Sequence, residues 1–321
     1  MNLSNETFRQ HFVSQAEQRL NAYAGEKIYE FEVIREGLTA RLSEPQSRSI
    51  AKNLKLDDLF SFDIEPKATL RDNFEALFQK YENSLSRVTR SVLDKAAVQA
   101  QGIAHDLECL FAAKLMNFAR NPYSVHKVLN TFTPVKGMQP VDSSMKHLFD
   151  KVLQGRNPRQ AYICQELGIS DAMYREWLAC LFMLLVEFKE GQPNFLNQAI
   201  QGLFRSTENA QTALICSYST ERVLLSDRAM TSDSQESCSH FDFNLCGSAF
   251  VRFQFLNKAI ALKNDASPEM LQHYLDLDRA QGPKLNVCYL QDDLGLLKGY
   301  NAGVIEQSFR RVFCSAKEVL Y

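Results

Sequence analysis

The chain contains no CxxC pair, no P-loop, no GxGxxG, no HExxH and no GxSxG. Those absences remove support for zinc ribbons, nucleotide cradles, zincins and serine hydrolases, because each chemistry needs its residues at fixed spacing. An excess of one charge is missing too. Thirty-six Lys and Arg face 38 Asp and Glu, with a net charge of −2 and no basic tail, which argues against a dedicated DNA-coating surface but leaves room for a local basic pocket. The most lipid-like run, residues 178–186, is too short to span a bilayer, which takes about 20 residues. The first ten residues are polar and lack the apolar core of a secretory leader. The expectation is a cytoplasmic protein with no membrane partner. Eight cysteines are scattered singly, mostly in apolar runs, and read as reduced core residues. His240 beside Cys238 supplies two potential ligands where a metal takes three or four, so no metal and no cofactor are expected.

What is present is an ordinary globular composition, 45% hydrophobic and 23% charged over 321 residues, enough for a large core. Residues 5–22 can form a helix or helical entry. KIYEFEVI (27–34) alternates imperfectly and reads as a strand. Residues 35–67 are polar and irregular, a surface excursion. From Thr69, Leu70, Phe74, Leu77, Tyr81, Leu85, Val88 and Val92 mark one face of a long helix. Further helices are predicted at 106–119, 142–153, 158–167, 171–189 and 194–204. After residue 211 come short β-rich runs (TALICSY, RVLLS, HFDFNL, AFVRFQFL, KLNVCYL), then helices at 268–278 and 301–320. The fold class is α+β: a mostly helical part (1–204) with one early strand, then a small, mostly antiparallel sheet with a closing helix (205–321), packed as one compact unit. The stretch AYICQELGISDAMYREWL has the cadence of a helix-turn-helix, but its second helix exposes two acids and continues into an apolar run. It therefore reads as a structural helical hairpin.

The central stretch, residues 106–132, carries the chemistry. Its first helix ends at Arg120, where Asn121 can cap a second helix that opens on Pro122, and His126 follows about one turn later. An arginine and a histidine near a helix N-terminus make a plausible phosphate cradle. Arg120-Asn121 followed by His126 also resembles the Arg-polar-x(4–6)-His signature of the HEPN ribonucleases. The resemblance implies that Arg120 holds a scissile RNA phosphate, His126 acts as general acid or base and Asn121 orients the motif, across a homodimer of helical bundles. The plainer alternative is a helix–loop–helix with a surface histidine.

Three spaced segments together resemble a bacterial family, domain of unknown function 4238. That family opens with a His-Tyr-Val-Pro box before a strand, has a central helix ending Arg-x-Pro, a Thr-Ser-Asp-Asn-Pro turn after a later strand, and an Asn-rich closing helix. Here the segments are His11-Phe12-Val13-Ser14, Arg120-Asn121-Pro122 and Leu225-Ser226-Asp227-Arg228-Ala229, with a last helix near Asn301. Ser14 and Arg228-Ala229 depart from the pattern. The resemblance implies a setting in anti-phage defence and no established chemistry. On their own physics His11, Arg120 and Asp227 are a base, a fixed cation and a carboxylate, able to handle a phosphate if brought together. Otherwise Asp227 caps a turn and His11 is a hydrogen-bonded core residue. The pairing expected is His11 with Asp227, raising the imidazole pKa. Two functions follow as expectations: a metal-independent ribonuclease, or a non-catalytic module recognising a phage component.

Overall fold

The computed structural model describes residues 3–37, 39–65, 69–263 and 267–321. In chain order the first part is β1 (Ser4–Asn5), β2 (Arg9–His11), α1 (Gln15–Leu20), β3 (Lys27–Glu36), β4 (Thr39–Leu42), β5 (Gln46–Ser49), β6 (Lys55–Asp57), β7 (Ser61–Ile64) and β8 (Arg71–Asn73). The helical middle is α2 (Glu75–Ala97), α3 (Ala104–Ala119), α4 (Val125–Thr131), α5 (Ser143–Gln154), α6 (Gln160–Leu167), α7 (Asp171–Leu185) and α8 (Phe195–Arg205). The last part is β9 (Asn209–Ser217), β10 (Leu225–Ser226), β11 (Thr231–Ser234), β12 (Cys238–Cys246), β13 (Ala249–Asn257), α9 (Lys258–Ala261), α10 (Pro268–Gln281), β14 (Leu285–Gln291), α11 (Leu294–Gln307) and β15 (Arg311–Cys314).

The class is α+β, but the expected order is wrong: the chain is strand-rich at its N-terminus, helical in the middle and sheet-rich in its C-terminal half. Residues 1–204 hold eight strands among the described residues, not one. The supposed surface excursion supplies β4 to β7, and the first turn of the expected long helix is β8. Arg71–Asn73 pairs with both β1 and β7, and the Asn73 side chain then accepts the Glu75 N–H (2.9 Å), starting α2 six residues late. The closing helix is also displaced. It occupies 294–307, and Val312, Phe313 and Cys314, buried and apolar, run as strand β15 between β10 and β3.

Strand β3 joins the two ends of the chain. Its start pairs with β5, its middle with β15 and its end with β4. Strands from both ends of the chain thus share one sheet. A second five-stranded sheet runs β11-β12-β13-β9-β14, antiparallel except for the parallel β9–β14 edge. One face of it packs on α3 and α8, where Phe111 makes edge contacts at 5.0–5.9 Å with Phe204, Phe241, Phe243, Phe253 and Phe255. Phe250 stacks on Tyr300 of α11 (4.2 Å) in a second, smaller core that also holds Cys216 and Leu224. The α6–α7 pair is the structural hairpin expected. Gly168 takes the left-handed conformation (φ 66°), Ser170 caps α7, and Trp177 is buried, donating to the Ala119 carbonyl (2.8 Å). Among the described residues no helix is long and apolar enough to cross a membrane.

Candidate functional site

The segments singled out in the sequence meet at the end of α3. Asn121 caps the turn opened by Pro122, its Oδ1 accepting the Tyr123 N–H (3.0 Å) as the sequence predicts. Its amide donates to the Asp227 carbonyl (2.8 Å), tying the central segment to the turn after β10. Tyr123 lies edge-on to Phe12 (5.1 Å) and stacks on Phe309 (4.4 Å), so the opening box joins the same junction.

The expected pairing within this junction is not found. The Asp227 carboxylate is fully buried and accepts the backbone N–H groups of Phe309, Arg310 and Arg311 at 2.7, 2.7 and 2.9 Å. It caps the bend between α11 and β15, which corrects its assignment as partner to His11. Burial raises the Asp227 carboxyl pKa, and these three donors oppose that. Arg120 and His126 are not brought together either. Arg120 is 1% exposed, its guanidinium lies over the Phe78 ring (5.0 Å) and bonds the Glu82 carboxylate. His126 is exposed on α4, with no hydrogen bond to any described residue. The arginine of the ribonuclease-like signature thus faces inward to a carboxylate, while its histidine faces solvent.

What Arg120 does meet is a cluster of titratable groups. Glu75, Phe78 and Glu82 lie three and four residues apart on one face of α2, the spacing that stacks side chains along a helix. Burial, with the Glu82 charge adding to it against Arg120, raises the Glu75 carboxyl to about 7, and its buried Oε1 has no hydrogen-bond partner. The Nε of Arg120, also buried, has none. His11, at the end of β2 opposite Lys55 of β6, completes the group. Its imidazole is pushed down to about 4, first by burial and then by the charges of Arg120 and Lys55, against opposing contributions from the Asn53 backbone and Glu82. The sign is opposite to that expected from pairing with Asp227.

The His11 tautomer follows from its neighbour. Gln15 accepts from Arg19 through Oε1 (2.8 Å), so its amide nitrogen is the atom 3.0 Å from His11 Nε2. That nitrogen donates, and Nε2 accepts as an unprotonated ring nitrogen. At neutral pH the cluster therefore holds a neutral imidazole, a fixed guanidinium and a Glu75 poised between its two protonation states. Environments that push neighbouring pKa values apart are the pattern of acid–base sites. Among the described residues no group of three His, Cys, Asp or Glu side chains is placed to hold a metal ion.

Glu75 and Glu82 were missed in the sequence. The available signal was two carboxylates on the apolar face of α2, beside Phe78 and Leu85, where charges are rarely placed without a partner.

Compared with protein-family models, curated proteins and solved structures, the chain finds no match in any of the three. The two departures from the family pattern differ in weight. Ser14 has φ −58°, a value proline also adopts, and its side chain caps α1 by accepting the Glu17 N–H (3.1 Å). Ala229 has φ +66°, which proline cannot reach. The turn here is therefore built differently from an Asn-Pro turn. Ala229→Pro should destabilise the fold by more than ~1 kcal/mol in a thermal melt. An unchanged melting temperature would mean that the turn accepts the family geometry.

Proposed function

We propose that this chain is an acid–base enzyme that cleaves phosphodiester bonds, with RNA as substrate, in a bacterial defence setting. The observation that carries the reading is the poised, half-buried Glu75 beside the buried Arg120, each leaving a buried polar atom without a protein partner among the described residues. Arg120, buried and bonded to Glu82, lends its charge from behind the site, the 2′-hydroxyl attacks phosphorus, and the ionised Glu75 takes its proton. The P–O5′ bond breaks, solvent protonates the leaving oxygen, and a 2′,3′-cyclic phosphate remains. His11, neutral at working pH, has its acceptor nitrogen occupied by Gln15 and so shapes the site rather than carrying the proton. The defence setting is supported by the three family-like segments, which lie at one junction through Asn121–Asp227 and Phe12–Tyr123–Phe309.

Purified protein given single-stranded RNA should cleave it, and Glu75→Gln should lower the rate ~100-fold or more, the contribution typical of a positioned proton-transfer group. Arg120→Lys, which keeps the charge but loses the forked donors, should lower the rate with less effect on folding than Arg120→Ala. A rate unaffected by Glu75→Gln would remove the acid–base reading.

A second reading has its own observation. Leu129, Phe132, Met138, Phe149 and Met183 line an apolar cavity of about 340 Å³ between α4, α5 and α7, the kind of surface a non-catalytic module would offer to a phage component. Phage protection that survives Glu75→Gln but is lost in Phe132→Asp would favour it.

A further inference from the structure

A separate cluster lies on the outer side of the Asp227 turn. Lys127 of α4, Arg228 after β10 and Arg310 before β15 come from three parts of the chain. Among the described residues none of the three forms an ion pair, and Arg228 is half-buried, a setting where most other charges of this chain have a partner. The guanidinium groups of Arg228 and Arg310 lie 5.8 and 4.9 Å from the Phe309 ring centroid, and that ring stacks on Tyr123. The two cations are thus held on a fixed aromatic support rather than swinging on free side chains.

The adjacent Asp227 offsets only part of this charge: it favours the Arg228 guanidinium at a distance, against burial, without forming an ion pair with it among the described residues. Asp227, the residue before Arg228, spends its carboxylate on three backbone N–H groups. Nor is the field diluted on the other side. Arg35 brings another guanidinium, spent on the carbonyl groups of Ile305, Glu306, Ser308 and Phe309 at the end of α11. Lys127 reaches only the neutral Gln307 (3.4 Å), and its ammonium is pushed down by burial and by the charge of Arg228. The Nε of Arg228 is buried with no hydrogen-bond partner. In a protein of net charge −2, three cations gathered beside a single carboxylate leave a locally positive surface suited to an anion.

We propose that Lys127, Arg228 and Arg310 bind the phosphodiester backbone of single-stranded RNA. The choice of RNA rests on the cleavage reading proposed above; the three cations line one side of a single turn, and phosphate contacts of this kind position a strand without reading its sequence. Phe309 is covered on one face by Tyr123 and approached by both arginines, so the ring orders the cations and leaves base stacking to play no part.

The test is fluorescence anisotropy of a labelled single-stranded RNA titrated with the whole protein over a range of salt. It is run in a Glu75→Gln background, so that binding is read without cleavage and fails independently of the acid–base reading. Lys127→Gln and Arg310→Gln, both exposed positions, should each weaken binding several-fold. Combined with Arg228→Gln they should weaken it at least ~10-fold and lower the slope of log K against log salt by ~0.7 per lost contact. A thermal melt of each variant checks the fold, and the two exposed substitutions keep the test valid if Arg228→Gln unfolds. Equal affinity and slope in parent and double variant would overturn the proposal. So would binding of pyrophosphate, but not RNA, that depends on the same residues.

Discussion

Glu75→Gln should make the protein more stable than its parent above about pH 7 and no more stable below about pH 4.5. The carboxyl ionises near 4.5 in the unfolded chain and near 7 in the fold. Below the lower value both states hold the proton and the group is neutral to stability. Between the two, the unfolded chain releases its proton while the fold keeps it, so stability falls as pH rises and the full penalty is reached above 7. The gap corresponds to about 3 kcal/mol, a large share of the roughly 5–15 kcal/mol that holds a domain together. A neutral amide does not titrate and escapes the penalty.

His11 gives the experiment an internal reference. Its imidazole takes up a proton near 6.5 when unfolded and only near 4 when folded. Its stability contribution is present above 6.5 and is lost as pH falls through 4. Between about 4.5 and 6.5 the two groups therefore slope in opposite directions, and the parent curve is flattened. Removing Glu75 should expose the rising His11 limb. The measurement is urea unfolding across this pH range. A stabilising substitution that also abolishes cleavage would be the trade expected where a buried, strained charge serves chemistry. Parent and variant curves that run parallel at every pH would show that Glu75 is an ordinary solvated carboxylate, and the proposed mechanism would go with it.

The helical middle was legible because local rules suffice there. Caps at Asn121, Asp142, Ser170 and Asn194 sit where their side chains accept the N–H groups expected of them. The apolar steps of α2 from Leu77 to Val92 follow the helical period. The N-terminal strands were not legible. Strand β5 (Gln46–Ser49) is exposed along its whole length, and β2, β6 and β8 have three residues each, too few for an alternating pattern. Such strands exist because a distant partner supplies their hydrogen bonds, as β3 does for β5. Strand β15 failed for the opposite reason: its apolar residues extend a helical-looking run, and the groups that end that helix before it, the Asp227 carboxylate and the Arg35 guanidinium, lie far away in sequence. For the site, Asn121 and Pro122 announced their turn locally. The acid–base cluster is made by α2 crossing the end of α3 beside β2, a meeting that no local spacing records.

Lys114→Met should cost about 3–5 kcal/mol of stability, because it leaves a carboxylate buried without its counter-charge. Lys114 of α3 and Glu17 of α1 are both wholly inaccessible and bond one another. The lysine also donates to the Asn244 carbonyl of β12 (2.5 Å), and Asn117 donates to the other Glu17 oxygen (2.7 Å). Asn21 and Asn244 exchange amide bonds at 2.8 and 2.9 Å beside them. This network fastens a six-residue helix, too short to be stable alone, to both α3 and the large sheet. The same helix carries Gln15, which sets the His11 tautomer, so its loss reaches the acid–base cluster. The double substitution Glu17→Gln with Lys114→Met removes both charges and should recover most of the loss, since neutral replacements for a buried pair are often no worse than the pair. Chemical denaturation of the two single variants and the double one gives the coupling directly. A Lys114→Met penalty below ~1 kcal/mol, or a double variant no better than the single, would mean that α1 is held by its apolar contacts and not by this pair.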